Sequence, residues 1–173
     1  MFDIIKEVKA IEQEIINWRR DLHQIPEIGL EEYETSDYLL KIINSLPQEN
    51  LEIKRWKTAI LVHLNGENKN YTIGYRTDID GLPVEEKTGL PFSSKHEGRM
   101  HACGHDGHTA GLLGAAMILS QLKDEFDGTI KFIFQPAEET EGGALPMIEA
   151  GILEDPMVDA AFGCHLWGEL QEG

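Results

Sequence analysis

Apolar residues at Ile4, Val8, Ile11, Ile15, Trp18 and Leu22 recur at steps of four and three, the spacing that lines one face of an α-helix. Asp3 stands where a helix cap is wanted and Pro26 closes the segment, so the stripe predicts one core-facing helix over residues 4–22. It is too short to favour a coiled coil. A second helix is expected over residues 35–45, where Leu39, Leu40, Ile42, Ile43 and Leu46 are apolar and Pro47 follows. The period then shortens to that of strands. Residues 51–56 alternate, 60–64 are mostly apolar, Asn65-Gly66 marks a turn, and 71–75 read as a further strand before Gly81 and Pro83.

The second half alternates between the two periods. Residues 109–122, rich in Ala, Gly, Leu, Ile and Met, predict a helix able to pack closely on a sheet. A strand over 129–134, a short helix over 144–150 stopped by Gly151, and a short strand over 159–163 follow. Such alternation predicts an α/β three-layer sandwich, with a central mostly parallel sheet, helices on both faces and an antiparallel portion among the first strands. With 173 residues, 41% of them hydrophobic, one domain can bury a continuous core without disulfides.

Charge narrows the partners. Fifteen Lys and Arg against 31 Asp and Glu give a formal charge of −16, which repels nucleic acid and anionic membrane surfaces. Residues 1–7 lack the basic start and apolar core of a secretory signal, and no apolar run approaches a membrane span. Two cysteines, Cys103 and Cys164, make no disulfide framework, so the cytoplasm is the expected compartment. The chain ends at Gln171-Glu172-Gly173 without a closing element.

Ligands of open α/β sheets bind beyond the carboxyl ends of the strands. Asp78 and Asp80, Glu138 and Glu139, and His165 all follow predicted strands, while Cys103 and His105 precede the long helix. The densest stretch runs from His101 through Cys103, His105 and Asp106 to His108, interrupted by glycines that let the backbone turn tightly. Cys103, His105, Glu139 and His165 make a mixed sulfur, imidazole and carboxylate set, which suits Zn²⁺, Mn²⁺, Co²⁺ or Ni²⁺ and not Mg²⁺ or Ca²⁺. The adjacent glutamates can divide two jobs: Glu139 binds metal, and Glu138 accepts a proton from an activated water.

Plainer readings stand beside these. His23, His63, His96 and Cys164 read as packed or surface residues, Glu31-Glu32 and Glu85-Glu86 as solvated pairs, and Asp78 with Asp80 as a possible turn. One rival is a thiol hydrolase in which His105 or His101 activates Cys103. Another is a non-catalytic metal-binding module, against which a free Glu138 beside Glu139 argues, since a closed site needs no base.

Five motifs in order, residues 20–27, 76–83, 100–108, 134–139 and His165-Leu166, resemble the metal-dependent amidohydrolases and peptidases that include hippurate hydrolases, N-acetyldiaminopimelate deacetylases and auxin-conjugate hydrolases. The resemblance implies a zinc-peptidase-like catalytic domain that hydrolyses the amide of small N-acyl amino acids. It implies two divalent ions per complete site, with Cys103, His105, Glu139 and His165 as ligands and Glu138 as general base. Asp78 matches an aspartate that orients a ligand histidine, and Asp80 and Asp106 are weaker candidates for supporting the ligands. Residues 1–173 match only the amino-terminal part of that catalytic domain. Family members continue into an inserted dimerisation domain, through which a homodimer is expected, and then return to supply one more ligand histidine. Nothing after His165 can be that histidine, so a piece of a longer enzyme is expected.

Overall fold

Five strands build one open sheet in the order β1-β2-β4-β3-β5. The computed structural model describes residues 2–68, 70–140 and 142–171, so Met1 and the closing Glu172-Gly173 named above lie outside it. β1 (Leu51–Trp56) and β2 (Ala59–Asn65) form a hairpin, and β2 is also antiparallel to β4 (Thr129–Gln135). β3 (Thr72–Asp78) lies parallel to β4 on one side and to β5 (Ala160–Gly163) on the other. The antiparallel portion is therefore where the sequence places it, and the site-bearing half of the sheet is parallel.

Strand alternation sends one set of side chains to each face. Ile60, Val62, Leu64, Phe132 and Phe134 are buried on one face with Leu22, Leu39, Ile43, Leu112 and Leu113. That layer is made by α2 (Glu12–His23), α3 (Tyr33–Ile43) and α4 (His105–Ser120). The other face buries Ala59, Leu61 and Ile133 under Met147 of α5 (Ala144–Glu149), with Ile152 and Leu153 alongside. Lys131 is fully buried on this face and survives there because its Nζ donates to the Ile152 and Pro156 carbonyls at 2.7 and 2.9 Å.

The single helix expected over residues 4–22 is two. α1 (Ile4–Ala10) is capped by Asp3, which accepts the Lys6 N–H at 3.2 Å, but it buries no residue. The chain turns at Ile11 (φ −109°, ψ 9°), where the Ile11 N–H still finds the Val8 carbonyl at 3.2 Å. Below the turn the stripe does meet the core. Ile15 Cδ1 lies 2.7 Å from the point where a side chain on Gly114 would begin, so the absence of one lets α2 close on α4.

Two helices begin earlier than their apolar pattern predicts, and both for polar reasons. α3 starts at Tyr33 because the Glu27 carboxylate, from outside the helix, accepts the Glu34 and Thr35 N–H groups at 3.1 and 2.8 Å. α4 starts at His105 after Gly104 in the left-handed conformation (φ +84°). Its first turn is polar yet buried, since it faces the strand ends. Among the described residues, no helix is long and apolar enough to cross a membrane.

Candidate metal centre

The carboxyl ends of β3, β4 and β5 lie side by side, and α4 begins above them. Asp78 closes β3, and the chain continues to Asp80. Pro136-Ala137 leads from β4 to Glu138 and Glu139, and Cys164 leads from β5 to His165. Cys103, His105 and Glu139 offer donor atoms that all lie within 4.8 Å of one another, and so do Asp78, His105, His108 and His165. His105 belongs to both groups.

His105 is oriented by Asp80. Its Nδ1 donates toward the Asp80 carbonyl at 2.9 Å and Oδ1 at 3.2 Å, which leaves the lone pair on Nε2. That Nε2 is buried without a hydrogen-bond partner, 3.8 Å from both Asp78 Oδ2 and Glu139 Oε1. Asp80 Oδ2 also accepts the Glu139 backbone N–H at 2.9 Å, so one carboxylate fixes two candidate ligands. Burial pushes Asp80 up, but His105 and the Glu139 N–H hold it below the usual carboxylate range. The same partnership works on the ring: burial lowers His105, and Asp80 with Asp78 more than reverses it.

Cys103 Sγ is 3.4 Å from His165 Nε2, and the His165 Nδ1 lies 2.6 Å from the Leu166 carbonyl, to which it donates. Burial, then Glu139, Asp78 and Glu138, push the Cys103 thiol up to about 12. Glu138 itself is exposed at the rim. Carboxylates that suppress a neighbouring thiolate in this way would be countered by a bound cation.

His108, singled out in the sequence only as part of the dense stretch, sits inside the site. Its Nε2 accepts the Leu166 N–H at 2.8 Å, so its Nδ1 carries the proton it shares with Asp78 Oδ1 at 2.7 Å. Both nitrogens are engaged, which makes His108 a tie between β3 and the segment after β5. The signal for it was available: three residues after His105 on a helix, it shares that residue's face. Asp78 additionally receives Arg76 Nη1 at 2.9 Å. Burial raises this carboxyl, yet His108, His105 and Arg76 together keep it low.

Asp106 points elsewhere. Its carboxylate meets His23 Nδ1 at 2.7 Å and Arg19 Nε at 2.8 Å, away from the four candidate ligands. His23 and His63 are buried, as a packed reading expects, whereas two of the supposedly solvated glutamates are not solvated. Glu32 is fully buried, accepting Thr58 Oγ1 at 2.6 Å and the Ala137 N–H at 2.9 Å, and the Glu86 side chain is held by His23 and Ser94. The Glu32 bond pins Ala137 in the left-handed region (φ +54°), one residue before the glutamate pair. No local pattern announces either carboxylate, because each is buried by a partner more than 20 residues away.

An orphaned buried imidazole nitrogen facing two carboxylates, with a thiol and a second histidine beside it, is a donor set that fits a first-row divalent ion. An N-acetyldiaminopimelate deacetylase from Ligilactobacillus salivarius (strain UCC118) is 70% identical over 162 residues, covering 94% of this chain and 42% of that protein. Another, from Streptococcus pneumoniae (strain Taiwan19F-14), is 49% identical over 162 residues, covering 92% and 43%. A crystal structure of a dinuclear metal-binding peptidase of the M20 family from Bacillus subtilis superposes with a TM-score of 0.86 at 44% identity, over 94% of this chain and 45% of that one. The chain thus spans less than half the length of each relative. The profile of peptidase family M20/M25/M40 matches residues 74–173, a span that takes in the ends of β3, β4 and β5 and the start of α4, and the chain belongs to that family.

Proposed function

We propose that the complete protein hydrolyses the amide bond of small N-acylated amino acids at a site holding two divalent metal ions. The observation that carries the reading is His105 Nε2, buried, unpartnered and aimed between Asp78 and Glu139. In this reading Cys103, His105, Glu139 and His165 hold metal, and a further histidine comes from sequence beyond these 173 residues. Bound divalent ions supply Lewis acidity at a carbonyl and a more acidic water.

The chain's own groups then divide the work. Glu138, adjacent to a ligand but free to move at the rim, takes the proton of the attacking water and returns it to the departing amine. Asp80 orients His105. Asp78, the catalytic aspartate of this reading, presents Oδ2 toward the same space while Arg76 and His108 hold it in place. Asp106 supports the start of α4 through His23 and Arg19.

The deacetylase relatives support N-acetyldiaminopimelate as the first substrate to try, and the Bacillus subtilis peptidase supports the paired ions. The donor set suits zinc, manganese, cobalt or nickel. The proposal includes these residues as the amino-terminal part of a longer catalytic domain, a cytoplasmic setting, and a homodimer formed through the inserted domain. The thiol-hydrolase alternative is weakened by Cys103, whose thiol near 12 is a poor nucleophile at neutral pH.

Elemental analysis of the chain and of Cys103→Ala tests the metal, and hydrolysis of N-acetyldiaminopimelate by the full-length protein tests the reaction. Stoichiometric metal that the variant loses, with chelator-sensitive turnover, is expected. Turnover that survives complete metal removal would overturn the proposal.

A further inference from the structure

Between Asp80 and Cys103 the chain makes a long excursion without regular structure. Its base is pinned by paired backbone bonds between Leu82 and Met100, at 2.9 and 3.0 Å. Asp80 lies two residues before that base and Cys103 three residues after it, so whatever anchors residues 83–99 is felt at both ends of the site.

The excursion is anchored on α2. Phe92 is covered by the Arg19 and Arg20 guanidinium groups at 5.3 and 5.1 Å, and the Lys95 N–H reaches the Gln24 carbonyl at 2.9 Å. His96 Nδ1 donates to the Pro26 carbonyl at 2.9 Å. Two residues of α2 touch both the excursion and α4: Arg19, which lies over Phe92 and 2.8 Å from Asp106 Oδ2, and His23. His23, 2% exposed, has Glu86 Oε1 3.3 Å from Nε2 and Asp106 Oδ2 2.7 Å from Nδ1. Glu86 in turn accepts the Ser94 N–H across the excursion at 2.6 Å.

We propose that His23 is a positioning residue, a latch that ties the excursion of residues 83–99 to the first turn of α4 and so fixes Asp80 and Cys103 relative to each other. The partners dictate its state. Ionised carboxylates only accept, so two of them on the two ring nitrogens require both nitrogens to carry hydrogen, and His23 is an imidazolium. The groups around it are Arg19 on its own helix, Glu86 on the excursion, His101 on the segment before α4 and Asp106 on α4. The hydrogen bond to Asp106 leads in raising its pKa, burial and Arg19 oppose it, and the net shift is upward from 6.5. His101 is buried with no partner on either nitrogen and stays neutral.

The sign follows. A raised folded pKa means that the latch is fully engaged below the unfolded value near 6.5 and is lost as pH rises through the folded value. Its consequence for the site rests on the proposed metal reading, but its test does not. On the full chain stripped with chelator, ring nitrogen NMR shifts should report a doubly protonated His23 at neutral pH, with a midpoint that falls in Glu86→Gln. In His23→Gln, amide exchange should rise about tenfold in residues 84–99 and 102–108 together, the size of effect one charge-assisted bond supports. The ratio of variant to wild-type rates should then close toward one as pH passes the His23 midpoint. A neutral His23 at pH 7, an unmoved midpoint in Glu86→Gln, or faster exchange confined to 84–99 would overturn the proposal. The Glu86 variant keeps the test decisive even if His23→Gln does not fold.

Discussion

Asp80 and His105 are joined twice, through the Asp80 carbonyl at 2.9 Å and its carboxylate at 3.2 Å, and the pairing sets which ring nitrogen is free. Outer partners of this type raise ligand basicity and fix the tautomer. Asp80→Asn is expected to fold and to bind metal about 10–100-fold more weakly, because the carboxylate that also holds the Glu139 N–H is gone. Asp78→Asn should weaken metal only modestly while impairing turnover in the full-length protein, since it breaks the tie through His108 to Leu166. Chelator competition on both variants checks the division. Equal metal loss in the two would assign them the same role.

Metal affinity should depend on pH through Cys103 and His105. Without metal, Cys103 remains a thiol up to about 12 and His105 holds its proton above the usual 6.5, so binding must displace both. Apparent affinity therefore rises with pH, about one decade per unit for the thiol proton, and more steeply where His105 is still protonated. Titration calorimetry in buffers of different ionisation enthalpy counts the released protons. Cys103→Ser should bind more weakly with a shallower slope, and an unchanged slope would remove Cys103 from the ligand set.

Glu138→Gln separates binding from chemistry. Glu138 is exposed beside Glu139, whose oxygen faces His105, so the substitution keeps the size of the side chain and removes only its capacity to accept a proton. Full-length Glu138→Gln should retain its metal and lose about 10²–10⁴-fold in kcat, the usual worth of a general base. Metal content and single-turnover rates measured on one preparation decide it. Retained turnover would move the base elsewhere.

How far the sequence reached depended on where each element finds its partners. Residues 51–56 and 129–134 were legible as strands because their alternation reports burial on the pleated sheet, and β1 and β4 appear there with nearly those bounds. β3 outruns its expected end at Tyr75 because Arg76, Thr77 and Asp78 are polar residues paired inside the site, and polarity reads as a strand end. The break at Ile11 was invisible, since an apolar stripe continues across a turn whose backbone groups stay satisfied. In the site, Cys103 lies with His105 and Glu139, and His165 lies beside Cys103 at 3.4 Å, all at strand ends or the start of α4. Glu32 and Glu86 read as solvated in the sequence because the partners that take them out of water, Thr58 and Ala137 for one and His23 for the other, lie more than 20 residues away.

Gly29 should prove as sensitive as a core residue. A methyl group there would begin 2.7 Å from the Ala137 Cβ and 2.8 Å from its Cα, and Thr140 is closer still. Thr140 meets it only through a side-chain oxygen, but Ala137 meets it through backbone already held in the left-handed region by Glu32. Relief must therefore come from moving the segment that carries Glu138 and Glu139. Gly29→Ala is expected to cost about 1–3 kcal/mol, the range for overpacking a tight contact, and to weaken metal binding with it. Gly111→Ala on α4 is the matched control, because nothing lies within 4 Å of its added carbon. In a helix interior that change should stabilise by about 0.5–1 kcal/mol. Urea midpoints and metal affinity measured on the two variants should thus move in opposite directions for stability, and only Gly29→Ala should disturb the metal.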